Sequence, residues 1–233
     1  QTIGDAIKLV MKEDIVPDKA DKPVHLLAAL LAFVPPMLAL AAIPFGEGMA
    51  ALDLQLGVVY VIAVTTLASL PVLLAGYASN NKYSLVGGMR VVNQAISYEV
   101  PQAFAILSVI MVAGTFNLTE IVHFQQQHLW LVCVQPLAFV IYIISAVAEC
   151  NRAPFDLPEG ESELTAGVFT EYSGMRYALF YLAEYCNMFV AAGLATTLFL
   201  GGFSGPFLPG WLWFILKTFV IMSIFIWVRW TLP

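Results

Sequence analysis

Five carboxylates, Glu149, Asp156, Glu159, Glu161 and Glu163, crowd into residues 149–163 around a single Arg152. Carboxyl groups packed that closely in a low dielectric repel one another and lose hydration, and both effects favour the neutral acid. Such a cluster takes up or releases protons when its surroundings change. Glu171 and Arg176 extend the charged stretch, which runs into Tyr177, Tyr181 and Tyr185 at four-residue spacing. That stripe reads either as interfacial aromatic packing or as the wall of a site for a ring-bearing, lipid-soluble ligand.

The elements that must position these groups are membrane helices. Hydrophobic residues make up 60% of the chain and charged residues 11%, against about 25% charged in soluble proteins. A crossing needs about 20 apolar residues. Six runs qualify with at most one charge each: Val24–Pro44, Leu54–Ala78, Val100–Thr119, Leu129–Ala148, Tyr177–Leu200 and Trp211–Trp230. They are apolar all round and lack the period-two alternation of a membrane barrel. The fold class predicted is all-α, a polytopic transmembrane bundle forming one domain over 1–233. The chain starts at Gln1 without a signal pattern and stops just after a membrane run, so it is expected to be a fragment of a longer protein.

Residues 2–14 place Ile3, Ile7 and Val10 on one helical face and Asp5, Lys8 and Lys12 on the other, with Thr2 and Asp5 spaced as a capping box. An interfacial amphipathic helix with its connector is expected over 1–23, and Asp21 with Pro23 marks the start of the first crossing.

Six crossings put 1–23, 79–99, 149–176 and the C-terminal end on one side. That side holds Lys8, Lys12, Lys19, Lys22, Lys82, Arg90, Arg152, Arg176 and Arg229, and the tenth basic residue, Lys217, lies inside a crossing. Because Lys and Arg accumulate in cytoplasmic loops, the acidic loop is expected to face the cytoplasm or, in a mitochondrion, the matrix. Lys217 reads as an anchor or as a relay.

Glu99 and Glu149 sit at the expected ends of crossings. Glu184 lies seven residues past Tyr177, about 10 Å deep at 1.5 Å per residue. Ionisable groups at membrane depth cost at least about 2.5–3.5 kcal/mol and mark proton or ion paths, so these three are expected to line one cavity. The loop 149–176, rich in proline and apolar residues, is expected to fold back onto the helices. Pro35-Pro36, Pro71 and Pro136 are expected kinks, and Gly87-Gly88 and Gly201-Gly202 read as turns. The three cysteines fit no ligand spacing, His123 and His128 read as solvated loop residues, and no motif for nucleotide, nucleic acid or metal is present. No cofactor is expected on this chain.

The stretches "AECNRAPFDLPEGESELTAG" and "EYSGMRYALFYLAEY", with "GDAIKLVMKEDIVP", "GYASNNKYSLVGGMR", "ISYEV" and "FIWVRWTLP", run through the whole chain. They resemble the family of the H subunit, or subunit 1, of proton-pumping NADH:quinone oxidoreductase, respiratory complex I. The resemblance implies a chamber that admits quinone as substrate and an acidic funnel that couples quinone reduction to proton translocation. NADH, FMN and iron–sulfur clusters then belong to partner subunits. It matches Glu99, Glu149, Asp156, Glu159, Glu161, Glu163, Glu171 and Glu184, with Arg152 and Arg176, to proton coupling. Tyr177, Tyr181, Asp5 and Lys8 match the quinone chamber and its entrance. Partners implied are the peripheral-arm iron–sulfur and quinone-site subunits, other membrane-arm subunits, quinone and lipid, in a bacterial plasma membrane or a mitochondrial inner membrane. Family members carry one further helix at each end. The sequence departs from the pattern at Cys150 and Trp230. The alternatives are the related membrane component of an energy-converting hydrogenase or formate hydrogenlyase, a self-standing ion transporter, and an inert scaffold.

Overall fold

The computed structural model describes residues 2–157, 160 and 165–232. Ten α-helices follow in order among them: α1 (Thr2–Met11), α2 (Lys22–Ala42), α3 (Gly57–Thr66), α4 (Ser69–Ala78), α5 (Lys82–Ala113), α6 (Leu118–Gln127), α7 (Leu131–Val134), α8 (Pro136–Glu149), α9 (Gly174–Phe199) and α10 (Gly210–Thr231). A 3-10 helix, Gly167–Glu171, precedes α9.

Five units among the described residues are long and apolar enough to cross a membrane: α2, α3 with α4, α5, α9 and α10. The remaining expected crossing, Leu129–Ala148, is the pair α7 and α8, interrupted at Gln135 where Pro136 starts a new helix. Pro23 begins α2 as expected, with Asp21 as its N-cap residue. The second crossing breaks between α3 and α4 at Leu67 and Ala68, one turn ahead of Pro71. Proline cannot donate to the carbonyl four residues back, and the surrounding hydroxyls take up backbone acceptors instead. Thr65 and Thr66 donate to the Ile62 carbonyl and Ser69 to that of Thr66.

The segment 79–99 is a correction to the sequence reading. It is not a loop: Asn81 caps a helix by accepting from the Tyr83 amide, and α5 then runs 32 residues to Gly114, whose φ of 72° ends it. Glu99 accordingly lies in mid-helix. Gly88 is no turn residue either. A Cβ there would sit 3.4 Å from the Leu73 Cα, and one at Gly76 would sit 2.6 Å from the Ser84 carbonyl oxygen, so small residues let α4 and α5 pack backbone to backbone. Residues 120–128, also expected as loop, lie mostly in α6, capped by Asn117; His123 belongs to that helix and His128 ends it. Gly201 and Gly202 do form a turn, with φ of 70° and 50°.

Cross-links between connecting segments gather them at two ends of the bundle. At one end the Asp21 amide donates to the Ala78 carbonyl, Asn80 Nδ2 to that of Lys19, and Ser84 Oγ to that of Val168. At the other, buried Gln125 donates to the carbonyls of Thr197 and Leu198 and accepts from the Gly201 amide. Lys217 belongs to this second end. Its ammonium donates to the carbonyls of Leu200 at 2.7 Å, Gly202 at 3.0 Å and Ser204 at 2.7 Å, and lies over the Trp130 ring. A cation on the open carbonyls at the C-terminus of a helix is favourable, so Lys217 anchors the turn after α9.

Candidate functional site

The first end of the bundle holds the acids. After α8 stops at Glu149, the chain turns through Asn151 in a left-handed conformation, φ 51°, and folds back against the helices. Gln94 on α5 fixes this return by donating to the carbonyl of Ala148 at 2.6 Å and of Phe155 at 2.9 Å. Val168 is fully buried and Arg152 is 6% exposed, so the described part of 149–176 is packed structure, as its prolines and apolar residues implied.

Between α2, α3, α4, α5, α8, α9 and the returning loop lies a cavity of about 70 Å³. Glu99, Glu149, Asp156 and Glu184 all line it, with the neutral polar groups of Thr65, Thr66, Ser69, Asn151 and Asn187. The expectation that Glu99, Glu149 and Glu184 share a cavity holds. The volume suits a small group of waters and falls well short of the roughly 300 Å³ at which drug-sized ligand pockets begin.

Two of its acids have firm partners. Gln102 Nε2 donates to Glu149 Oε2 at 2.6 Å, and Arg152 Nε meets Glu184 Oε1 at 2.7 Å. Arg152 also lies 4.4 Å over the Tyr185 ring. Burial works against its charge, but Glu184 and Tyr185 outweigh burial and hold the guanidinium above its ordinary range. Arg152 is thus a fixed cation at the wall of the chamber.

The remaining candidates lie apart from this chamber. Glu171 accepts from Asn81 Nδ2 at 2.9 Å and lines a separate surface crevice with Asp18, Lys19 and Lys82. Arg176 pairs with Asp14 at 2.8 Å and donates to His25 Nδ1 at 2.9 Å. Tyr177 donates to the Tyr181 hydroxyl at 2.8 Å, and both rings pack on Phe169. Neither tyrosine lines the chamber, whereas Phe169 and Phe180 do. Lys8 is exposed on α1. Glu159, Glu161, Glu163 and the side chain of Asp5 lie outside the described residues.

Sequence reasoning missed three groups. Buried His25 stacks on Tyr172 with ring centroids 3.8 Å apart, and burial pushes the Tyr172 phenol up, which keeps its proton for the His25 carbonyl. Gln102 donates to Glu149 and Asn187 lines the chamber, both from inside apolar runs. A neutral amide there gives no charge signal, although a Gln or Asn at membrane depth needs partners just as an acid does.

A family model described as NADH dehydrogenase matches residues 1–233. The H subunit of the NADH-quinone oxidoreductase of Dehalococcoides mccartyi strain CBDB1 is 50% identical over 233 residues, spanning 100% of this chain and 65% of that protein. The protein of the same name from Carboxydothermus hydrogenoformans is 48% identical over 235 residues, 99% of this chain and 67% of its own length. That of Bacillus cytotoxicus is 48% identical over 237 residues, 100% of this chain and 71% of its own. The chain therefore spans about two thirds of the length of these relatives.

Proposed function

This chain belongs to the family of the NADH-quinone oxidoreductase H subunit, and on that premise we propose that it is a membrane component of such an enzyme whose acidic chamber couples quinone reduction to proton translocation. The observation that carries this reading is the convergence of Glu99, Glu149, Asp156 and Glu184 on one cavity, from three helices and a loop. A scaffold has little use for four carboxylates gathered on one small cavity, since ionisable groups at membrane depth are costly and mark proton or ion paths.

The residues divide the work by their surroundings. Glu184 is committed to the Arg152 guanidinium. Glu149 is held by a neutral amide donor and lacks a described ion pair of its own, so no fixed countercharge holds its proton off and it is placed to exchange one. Quinone itself does not fit the chamber, and we place its approach at the same end of the bundle, near Phe169, Tyr177 and Tyr181, with the peripheral iron–sulfur and quinone-site subunits docked beyond. NADH oxidation, FMN and iron–sulfur chemistry belong to those partners. The loops of this end then face the cytoplasm or matrix.

The test is Glu149→Gln in the assembled enzyme, with Glu120→Gln as control, because exposed Glu120 sits at the opposite end against Thr115. Quinone reduction and proton pumping should fall together in the first and hold in the second, while NADH oxidation by an artificial acceptor survives in both. Wild-type pumping by Glu149→Gln sinks the reading.

A further inference from the structure

The chamber does not end at Glu149. A second, smaller cavity of about 10 Å³, deeper in the bundle, is lined by Ile62, Gln102, Tyr142, Val190, Ala191 and Leu194, together with four residues that also line the chamber. Those four are Thr65, Glu149, Cys150 and Asn187. They form a neck between the two cavities, and the deeper cavity has room for about one water.

Three polar side chains around the neck and the deeper cavity have partners, and one buried oxygen does not. Thr65 donates to the Ile62 carbonyl at 3.1 Å, Gln102 donates to Glu149, and Tyr142 donates to the Ala191 carbonyl at 3.0 Å. Asn187 Oδ1 is buried and has no hydrogen-bond partner among the described residues. An amide oxygen buried without a donor costs about 1–3 kcal/mol, and the hydroxyl and amide donors around the neck are engaged elsewhere.

Asn187 also occupies a particular place on α9. It lies one turn beyond Glu184, so Phe180, Ala183, Glu184 and Asn187 face the chamber, and Asn187, Val190, Ala191 and Leu194 face the deeper cavity. It is the point on the helix where an acidic lining becomes an apolar one.

We propose that Asn187 seats a water molecule in this neck and that this water relays protons between Glu149 and the other carboxylates of the chamber. One hydrogen of the water satisfies Asn187 Oδ1, which leaves its oxygen free to receive a proton from Glu149. The water gives up one proton, by way of the chamber, to an ionised carboxylate such as Glu99 as it gains one from Glu149, so it is regenerated and the net change is one proton moved from Glu149 to that carboxylate. Asn187 is a positioning residue in this scheme. The proposal rests on the proton-coupling reading above.

The experiment uses Asn187→Leu and Asn187→Asp in the assembled enzyme in membrane vesicles, with each rate normalised to NADH oxidation by an artificial acceptor. Leu keeps the size and removes the acceptor, and Asp restores an oxygen at the same place. Coupled quinone reduction should drop about three- to tenfold in Asn187→Leu, the effect of one hydrogen bond. Its solvent deuterium isotope effect should rise as proton transfer becomes limiting, and Asn187→Asp should recover most of both. Wild-type behaviour of Asn187→Leu beside an impaired Glu149→Gln overturns the water seat and leaves the coupling reading intact. Equal losses in both Asn187 variants with an unchanged isotope effect overturn it too, as a packing defect.

Discussion

Arg152 and Glu184, 32 positions apart in the chain, meet at 2.7 Å, with side chains only 8% and 19% exposed. One comes from the loop after α8 and the other from within α9, so the ion pair fastens the returning loop to the helix that carries the deepest acid. Removing one member of a buried pair strands the other charge and costs about 3–5 kcal/mol, while replacing both by apolar residues is often near neutral. We expect Arg152→Leu to lower the melting temperature of the assembled enzyme sharply and Arg152→Leu with Glu184→Leu to recover most of it. Coupled activity should stay low in the double variant, which separates the pair's structural part from its part in proton handling.

Lys217 provides the opposite case, a buried cation with backbone partners. Replacement by Met leaves three carbonyls without their donor, and charged hydrogen bonds are each worth about 1.5–3 kcal/mol. Lys217→Met should lose several kcal/mol of stability in a denaturation series, yet pump at the normal rate per assembled enzyme. Loss of pumping with stability intact would instead make Lys217 a relay.

Backbone contact between α4 and α5 sets up the third expectation. Gly76→Val would drive a side chain into the Ser84 carbonyl oxygen, which is backbone and cannot turn away. The two helices must separate, and both contribute chamber lining. We expect Gly76→Val to lower assembly and coupled activity together, whereas Gly4→Ala on α1, where a Cβ meets nothing within 4 Å, should leave both unchanged.

Sidedness is checked with single cysteines in a chain whose native cysteines have been replaced. Glu47→Cys and Leu157→Cys, both at exposed positions, should react with an impermeant thiol reagent from opposite faces of sealed vesicles. Reaction from the same face rejects the proposed arrangement of ends.

What the sequence conveyed follows the physics of each signal. Continuous apolar runs announce crossings, and five of the six coincide with helices long and apolar enough to span, while the sixth is the shorter, interrupted pair α7 and α8. Charge hides helix: Lys82, Arg90 and Glu99 break the hydropathy of 82–99, and so the first half of α5 read as loop although its backbone runs unbroken to Ala113. Glycine is ambiguous in the same way, a turn at Gly201 and a packing surface at Gly76 and Gly88. Ionisable residues at depth pointed to the chamber because their burial is expensive. Gln102 and Asn187 stayed invisible because their importance lies in which atoms they face, a relation set by the packing of α5, α8 and α9. The quiet position of Glu171, in its own crevice with Asn81, likewise depends on the 3-10 helix before α9 and not on distance along the acidic run.

The prolines beside the chamber carry a mechanical consequence. In one wall the chain breaks at Leu67 and Ala68 ahead of Pro71, at the level of chamber-lining Thr65, Thr66 and Ser69. In another, Pro101 stands between Glu99 and Gln102 inside α5 and deletes one rung of the helix ladder. Both walls are therefore most compliant at the height of the acids and stiffer above and below. Bending stress applied at either end of these rods concentrates there, so the space around Glu99 and Glu149 can widen or narrow by flexure while the outer turns of each rod keep their hydrogen bonds.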